Sequence, residues 1–193
     1  MSTTRSGGLS KNEYASFNLG GHVQDSLELV SQNRNLLLEE LQLPSEPVWL
    51  NQVHGNNVLK LDDTTQSNII ADASYTDKTG IVCAILTADC LPVVFCDQKG
   101  EYIAAVHAGW RGLANGVLDN TLQALPVDND ELMCWLGPAI GPNMFEVGSE
   151  VVQQFTDKDK VHENAFNVKA NNKYLADIYQ LARNILLKHG VHQ

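Results

Sequence analysis

The sequence predicts an α+β chain with a mixed or largely antiparallel sheet rather than a doubly wound parallel one. Two observations carry this. Three strand-like runs, 81–86, 91–96 and 102–106, follow one another in the centre of the chain, and the last two are joined by the turn signal Asp97-Gln98-Lys99-Gly100. The helical patterns stand mainly before and after these strands and do not alternate with them. The 193 residues contain no internal repeat, Pro-rich tract or charge block, so the organisation expected is a single domain over 1–193.

The elements follow in order. The first ~25 residues, rich in Gly, Ser and Asn, read as turns and short strands. Leu27, Val30, Leu37, Leu38 and Leu41 fall near a 3.6-residue period with Pro44 beyond them, which predicts an amphipathic helix over 26–42. Residues 48–61 alternate loosely around His54-Gly55-Asn56-Asn57 and predict a hairpin whose turn lies beside His54. Gly109–Gly112 opens a helix of about a dozen residues, ended by Pro126. Residues 132–136 are a further strand, running into the Gly- and Pro-rich loop 137–142. Helices are expected at 148–156 and 174–189, the second with Gly190 at its C′ position.

Composition narrows the function. Thirteen basic and 23 acidic residues give a formal net charge of −10. So negative a surface repels phosphate backbones and anionic lipid, which argues against nucleic-acid and membrane partners. No run of about 18 apolar residues occurs, and the N-terminal MSTTRSGGLS has no apolar core of the secretory kind. The four cysteines show no CxxC pair. A cytoplasmic location with reduced thiols is the expectation. Cys83, Cys96 and Cys134 read as small core residues. Trp49, Trp110 and Trp135 read as packing residues, and His22, His162, His189 and His192 as solvent-exposed.

If the turn of the 91–96/102–107 hairpin centres on Gln98 and Lys99, Cys90 lies opposite His107 at its open end. Moving the turn by one residue changes the partner by two. A neighbouring Cys and His allow two chemistries. The imidazole can make a thiolate nucleophile, or both groups can bind zinc or copper. His54, beside its turn, is the natural third ligand, and three protein ligands leave one tetrahedral position for substrate or water. Arg5, before Gly7-Gly8, and Arg111, in Gly109-Trp110-Arg111-Gly112, are candidates for anion contact. Asn18 and Gln52 are candidates for polar substrate contact.

At these residues the chain resembles the bacterial laccase-domain family, also called multicopper polyphenol oxidases and now regarded as purine nucleoside phosphorylases. The matching segments are TRSGGLS (4–10), YASFNLGGHV (14–23), WLNQVHGNNV (49–58), ADASYTD (71–77), LTADCLPVVFCD (86–97), AAVHAGWRG (104–112) and WLGPAIGPNMFEVG (135–148). The resemblance implies sandwiched mixed sheets with helices outside. It extends to the catalytic fold of a glutamine-deamidating toxin that uses a Cys-His pair.

The resemblance further implies a catalytic zinc held by His54, Cys90 and His107. It implies phosphorolysis of adenosine, inosine and methylthioadenosine to base and sugar 1-phosphate, with adenosine deamination at the same site. Purine nucleosides and phosphate are then the partners, with a homodimer left open. Family members usually continue beyond the last helix, so the expectation is a family domain lacking the usual C-terminal segment, whether truncated or a shortened member. The alternatives are a copper-dependent phenol oxidase, a metal-free Cys90–His107 hydrolase or deamidase, and a non-catalytic metal-binding module. Six histidines in all, half of them outside the matching segments, argue against a multicopper cluster.

Overall fold

A computed structural model describes residues 1–192. The chain divides into two compact units, one of residues 1–47 and 80–82 and the other of 48–79 and 83 onward.

The first unit is built on one helix, α1 (Leu27–Glu40). Ser26 caps it by accepting the Leu29 N–H, and Val30, Asn33 and Leu37 form its buried face. Asn33 is fully buried. Its amide nitrogen donates to the Ser10 hydroxyl and to the carbonyls of Ser16 and Asn18, and its oxygen accepts the Leu9 N–H at 2.8 Å. One side chain thus satisfies the backbone of two irregular segments that have no ladder of their own. No strand forms among the first 25 residues; one turn of 3₁₀ helix over Asn12–Tyr14 is the only regular element there.

The second unit carries a five-stranded sheet in the order β1-β2-β4-β3-β5, with β1 Val58–Lys60, β2 Ala73–Thr76, β3 Leu91–Asp97, β4 Ile103–Ala108 and β5 Leu132–Leu136. Only β1 and β2 run parallel; the other neighbours are antiparallel. One face of this sheet, with Ala73, Val93, Phe95, Ala104, Val106 and Leu132, enters the core. It is covered by the helices α2 (Trp110–Ala114), α3 (Val117–Ala124) and α5 (Ile178–Lys188) through Leu113, Leu118, Leu122, Leu181 and Ile185. Phe95 is fully buried, and truncating such a residue to Ala costs about 3–5 kcal/mol. A three-stranded antiparallel sheet, β6 (Glu146–Gly148), β8 (Lys173–Ala176) and β7 (Phe166–Val168), follows with the helix α4 (Ser149–Thr156). The class is α+β with two sheets and helices, as the sequence indicates.

Several local expectations are corrected. Residues 48–61 make no hairpin: Val48 and Asn51 form single parallel bridges to Cys83 and Ile70, and β1 pairs with β2. The run 81–86 makes only that one bridge at Cys83. The helix after Gly109 is two helices, because Gly116 takes a left-handed φ of 87° and breaks it. The last helical pattern is split as well. Its first residues belong to β8, and Asp177 then caps α5 by accepting the Tyr179 and Gln180 N–H groups. At the other end Gly190 has φ 82°, and the Gly190 and Val191 amides donate back to Leu187 and Leu186. His162 is buried against Phe155 and Asn184, not exposed. His189 bonds Asp119 at 2.9 Å. Trp135 is 46% exposed and Trp49 is buried.

The β3–β4 hairpin keeps its strands but shifts its register. Pro92, not Cys90, stands opposite His107, and Leu91 opposite Ala108. The turn is centred one residue later than expected, on Lys99 and Gly100, which shifts every partner by two. Gly100 adopts φ 71° and donates to the Asp97 carbonyl, while the Asp97 carboxylate accepts the Lys99 and Tyr102 N–H groups. Cys90 therefore lies one residue beyond the ladder, on the loop that enters β3.

Candidate metal centre

Three elements of the second unit deliver the site. His107 is the penultimate residue of β4 and is buried, with 3% of its surface exposed. Its side chain projects from the sheet face opposite the α3-covered core, because its strand neighbours Val106 and Ala108 occupy the core face. Cys90 ends the loop before β3. His54 sits in an exposed bend with φ 60°, uncommon for a non-glycine residue. The metal-binding atoms of His54, Cys90 and His107 all lie within 4.8 Å of one another. Cys90 Sγ is 3.9 Å from His54 Nε2. The two imidazoles meet edge to face, with centroids 4.7 Å apart.

Asp72 organises this cluster. It is fully buried, just before β2. Its Oδ1 accepts the His54 N–H at 2.9 Å and pairs with His107 Nδ1 at 2.8 Å. Its Oδ2 accepts the Gly55 N–H at 2.7 Å and the Val53 N–H at 3.2 Å. A carboxylate has about four acceptor sites, and all four are used. Burial pushes the Asp72 carboxyl up, but the His107 hydrogen bond and the loop amides outweigh it and hold the group below the usual carboxylate range. The partnership also sets the tautomer. Since the carboxylate can only accept, His107 Nδ1 carries the proton and Nε2 keeps its lone pair for a ligand. A carboxylate behind a ligating histidine is the usual support of a metal site. The same side chain fixes the bend that holds His54, compensating its left-handed backbone.

Two glycines make the convergence sterically possible. A Cβ on Gly109 would stand 2.9 Å from Cys90 Sγ and 3.2 Å from the His54 ring. One on Gly112 would stand 3.1 Å from the Gly55 carbonyl. Neither has a left-handed φ, so at both positions the need is for space.

The donor set fits a metal. Two imidazoles and a thiol suit zinc, with bonds of about 2.0–2.3 Å. Donors under 5 Å apart reach such an ion with small side-chain rotations. Burial pushes the Cys90 thiol up, the Asp89 and Asp72 charges push it further, and Arg111 pulls it down. The site therefore lacks the electropositive setting that makes a metal-free reactive thiolate. Among the described residues, no other group of three His, Cys, Asp or Glu side chains is placed to hold an ion.

The remaining expected residues lie as follows. Arg111 is exposed on the first turn of α2, its guanidinium 4.3 Å from the Trp110 ring centroid, and its charge reaches Cys90. Gln52 is bound at both ends of its amide: it donates to the Leu86 carbonyl at 2.8 Å and accepts the Leu86 N–H at 2.7 Å. It thereby ties the chain before His54 to the segment leading to Cys90. Arg5 and Asn18 belong to the first unit. Arg5 donates twice to the Ala15 carbonyl, and Asn18 bonds Asp25 at 2.9 Å and the backbone of Gly20. Burial pushes the Cys83 thiol to about 11 and the Cys134 thiol to about 12, as packing residues require. Sequence reasoning missed Asp72 altogether. Its signal was a lone carboxylate between Ala71 and Ala73 at the entry to a strand, where a charge is buried only if it is paired.

Comparison with known proteins agrees across the whole chain. The family described as multi-copper polyphenol oxidoreductase laccase matches residues 1–193. A Shigella flexneri protein named purine nucleoside phosphorylase YfiH is 51% identical over 192 residues, covering 100% of this chain and 79% of that protein. A Pseudomonas aeruginosa purine nucleoside phosphorylase is 50% identical over 98% of this chain and 77% of its own length. Among solved structures, a Neisseria meningitidis protein superposes with a TM-score of 0.94 at 46% identity, over 98% of this chain and 77% of that one. YlmD of Geobacillus stearothermophilus gives 0.91 at 29% identity, over 99% and 76%. Fold, cluster and sequence converge: the chain belongs to the multi-copper polyphenol oxidoreductase laccase family, in the company of relatives named purine nucleoside phosphorylases.

Proposed function

We propose that this chain is a zinc-dependent purine nucleoside phosphorylase, acting on adenosine, inosine and methylthioadenosine, with adenosine deaminase activity at the same site. The observation that carries the reading is the convergence of His54, Cys90 and His107 around one point, in a chain half identical to proteins of that name. Phosphorolysis breaks the bond between base nitrogen and C1′ and forms one from C1′ to a phosphate oxygen. Deamination adds water to the purine and releases ammonia. Bound zinc would act as a Lewis acid toward water or a substrate oxygen. His107 contributes Nε2 with its tautomer set by Asp72, His54 contributes Nε2 from the bend that Asp72 clamps, and Cys90 contributes its sulfur. Arg111 supplies positive charge beside Cys90 for phosphate, in a chain whose net charge is −10. Arg5 is proposed for anion contact, and Asn18 and Gln52 for polar substrate contact. The site suits a cytoplasmic setting, where the Cys90 thiol stays reduced. No helix among the described residues is long and apolar enough to cross a membrane.

The test is chromatography of zinc-loaded protein with adenosine and inosine, with and without phosphate. Phosphate-dependent release of adenine and hypoxanthine is expected, together with phosphate-independent conversion of adenosine to inosine. Absence of base release overturns the phosphorylase reading, and loss of only the second product overturns the deaminase part. A phenol oxidase would instead consume oxygen with a phenolic substrate. The copper reading is the weaker one, since one three-donor group is what the described residues offer.

A further inference from the structure

Asp72 explains how the two histidines are held, but none of its side-chain hydrogen bonds goes to the cysteine side. The backbone on both sides of Cys90 is held by the loop 137–142. The Ile140 N–H donates to the Asp89 carbonyl at 3.0 Å, and the Gly137 N–H donates to the Pro92 carbonyl at 2.8 Å. That loop has no ladder beyond β5, and its two prolines, Pro138 and Pro142, donate nothing. It needs an external support, and α5 provides one. The Tyr179 hydroxyl donates to the Gly137 carbonyl at 3.0 Å and accepts the Ala139 N–H at 2.7 Å. Tyr179 stands in the first turn of α5, its own N–H bonded to the Asp177 cap at 3.0 Å. The loop approaches closely as well. A Cβ on Gly137 would lie 2.7 Å from both the Pro92 ring and the Trp135 ring.

We propose that Tyr179 is a positioning residue for the metal centre. Through the 137–140 loop it fixes the backbone on both sides of Cys90, and so the place of the sulfur relative to His54 and His107. The inference rests on the metal-site reading above. Tyr179 is the counterpart, for the cysteine, of what Asp72 is for the histidines. Removing the hydroxyl leaves the Gly137 carbonyl and the Ala139 N–H without their partner, and the loop relaxes at the point that faces Cys90.

The test uses Tyr179→Phe, which keeps the ring, with the unsubstituted chain and Asn184→Ala as references. Asn184 lies on the same helix, and its hydrogen bonds go to Val161, His162, Asn164 and Gln180, away from the loop. Each protein is titrated with Co²⁺, reading the thiolate-to-cobalt charge-transfer band and its competition with a chelator, and its unfolding is followed in parallel. For Tyr179→Phe the expected result is a cobalt affinity about 10-fold weaker, at the low end of outer-shell effects, with a shifted charge-transfer band. For Asn184→Ala the expected result is lower stability with affinity and band unchanged. An unchanged affinity and band in Tyr179→Phe overturns the proposal, and so does an equal change in Asn184→Ala. If the unsubstituted protein shows no Cys90-dependent band, the metal-site reading itself fails, which is a separate outcome.

Discussion

The two ends of the β3–β4 hairpin use the same device for different purposes. At the turn, Asp97 is 2% exposed and gathers the Lys99 and Tyr102 N–H groups, the second at 2.6 Å. At the open end, Asp72 is 0% exposed and gathers three N–H groups of the 53–55 bend. Burial pushes both carboxyls up and hydrogen bonding brings both below the ordinary range. The difference in kind is the contact with the His107 imidazole. A buried carboxylate paired only with amides shapes a turn. One that also binds an imidazole sets a tautomer, and in doing so links a backbone bend to chemistry.

The comparison breaks most readily at Asp72. In Asp72→Asn the new amide group faces two N–H donors, and stability should fall by about 2–4 kcal/mol. Metal affinity should fall 10- to 100-fold. Urea unfolding and a chelator competition read both losses. If Asp72→Asn affects stability alone, Asp72 is a second Asp97 and no more.

Gly109→Ala isolates the site from the fold support. The added methyl meets Cys90 Sγ at 2.9 Å, and such overpacking costs about 1–3 kcal/mol. Borne by the metal-bound state, that is a loss of metal affinity of about 5- to 150-fold, with the secondary structure intact by circular dichroism. A full complement of tightly bound metal in this variant would show that the glycine is not needed for space.

Asp97→Asn should cost about 1–2 kcal/mol of stability and leave metal binding unchanged. A changed affinity would mean that the turn and the site are coupled along the hairpin. The smallest effect is the pH dependence of that same difference. The Asp97 carboxyl titrates lower in the folded chain than in the unfolded one, so its contribution is present above about pH 4. It is lost as the pH falls through the folded value. The stability gap between the unsubstituted chain and Asp97→Asn should therefore be constant from pH 5 to 7 and close below about pH 4. A gap that widens on acidification contradicts the assignment.

Legibility from sequence followed the range of the interactions. α1, β3, β4, β5 and α4 are readable because periodicity and caps are local properties of a dozen residues. The chain from 48 to 61 misled, since the partners of Val48 and Asn51 are Cys83 and Ile70, and alternation does not reveal a parallel partner. β8 was absorbed into the helix that follows it because Leu175 happens to continue the helical period, and only the Asp177 cap divides them. The register of the hairpin slipped by one turn residue, yet the chemistry survived. Cys90 moved off the ladder but stayed at the same open end, close enough for its sulfur to approach His54.

Residue chemistry and family pattern in the sequence determined which side chains could act: two imidazoles and a thiol at the ends of strands, in an acidic chain with few arginines. What only the tertiary structure decided is how they are held. Asp72 lies 35 residues from His107, and Tyr179 lies 42 from Gly137. Such pairings leave no period and no spacing along the chain. They exist because a buried carboxylate and an irregular loop must each find hydrogen-bond partners once water is excluded, and the folded sheet brings those partners within reach.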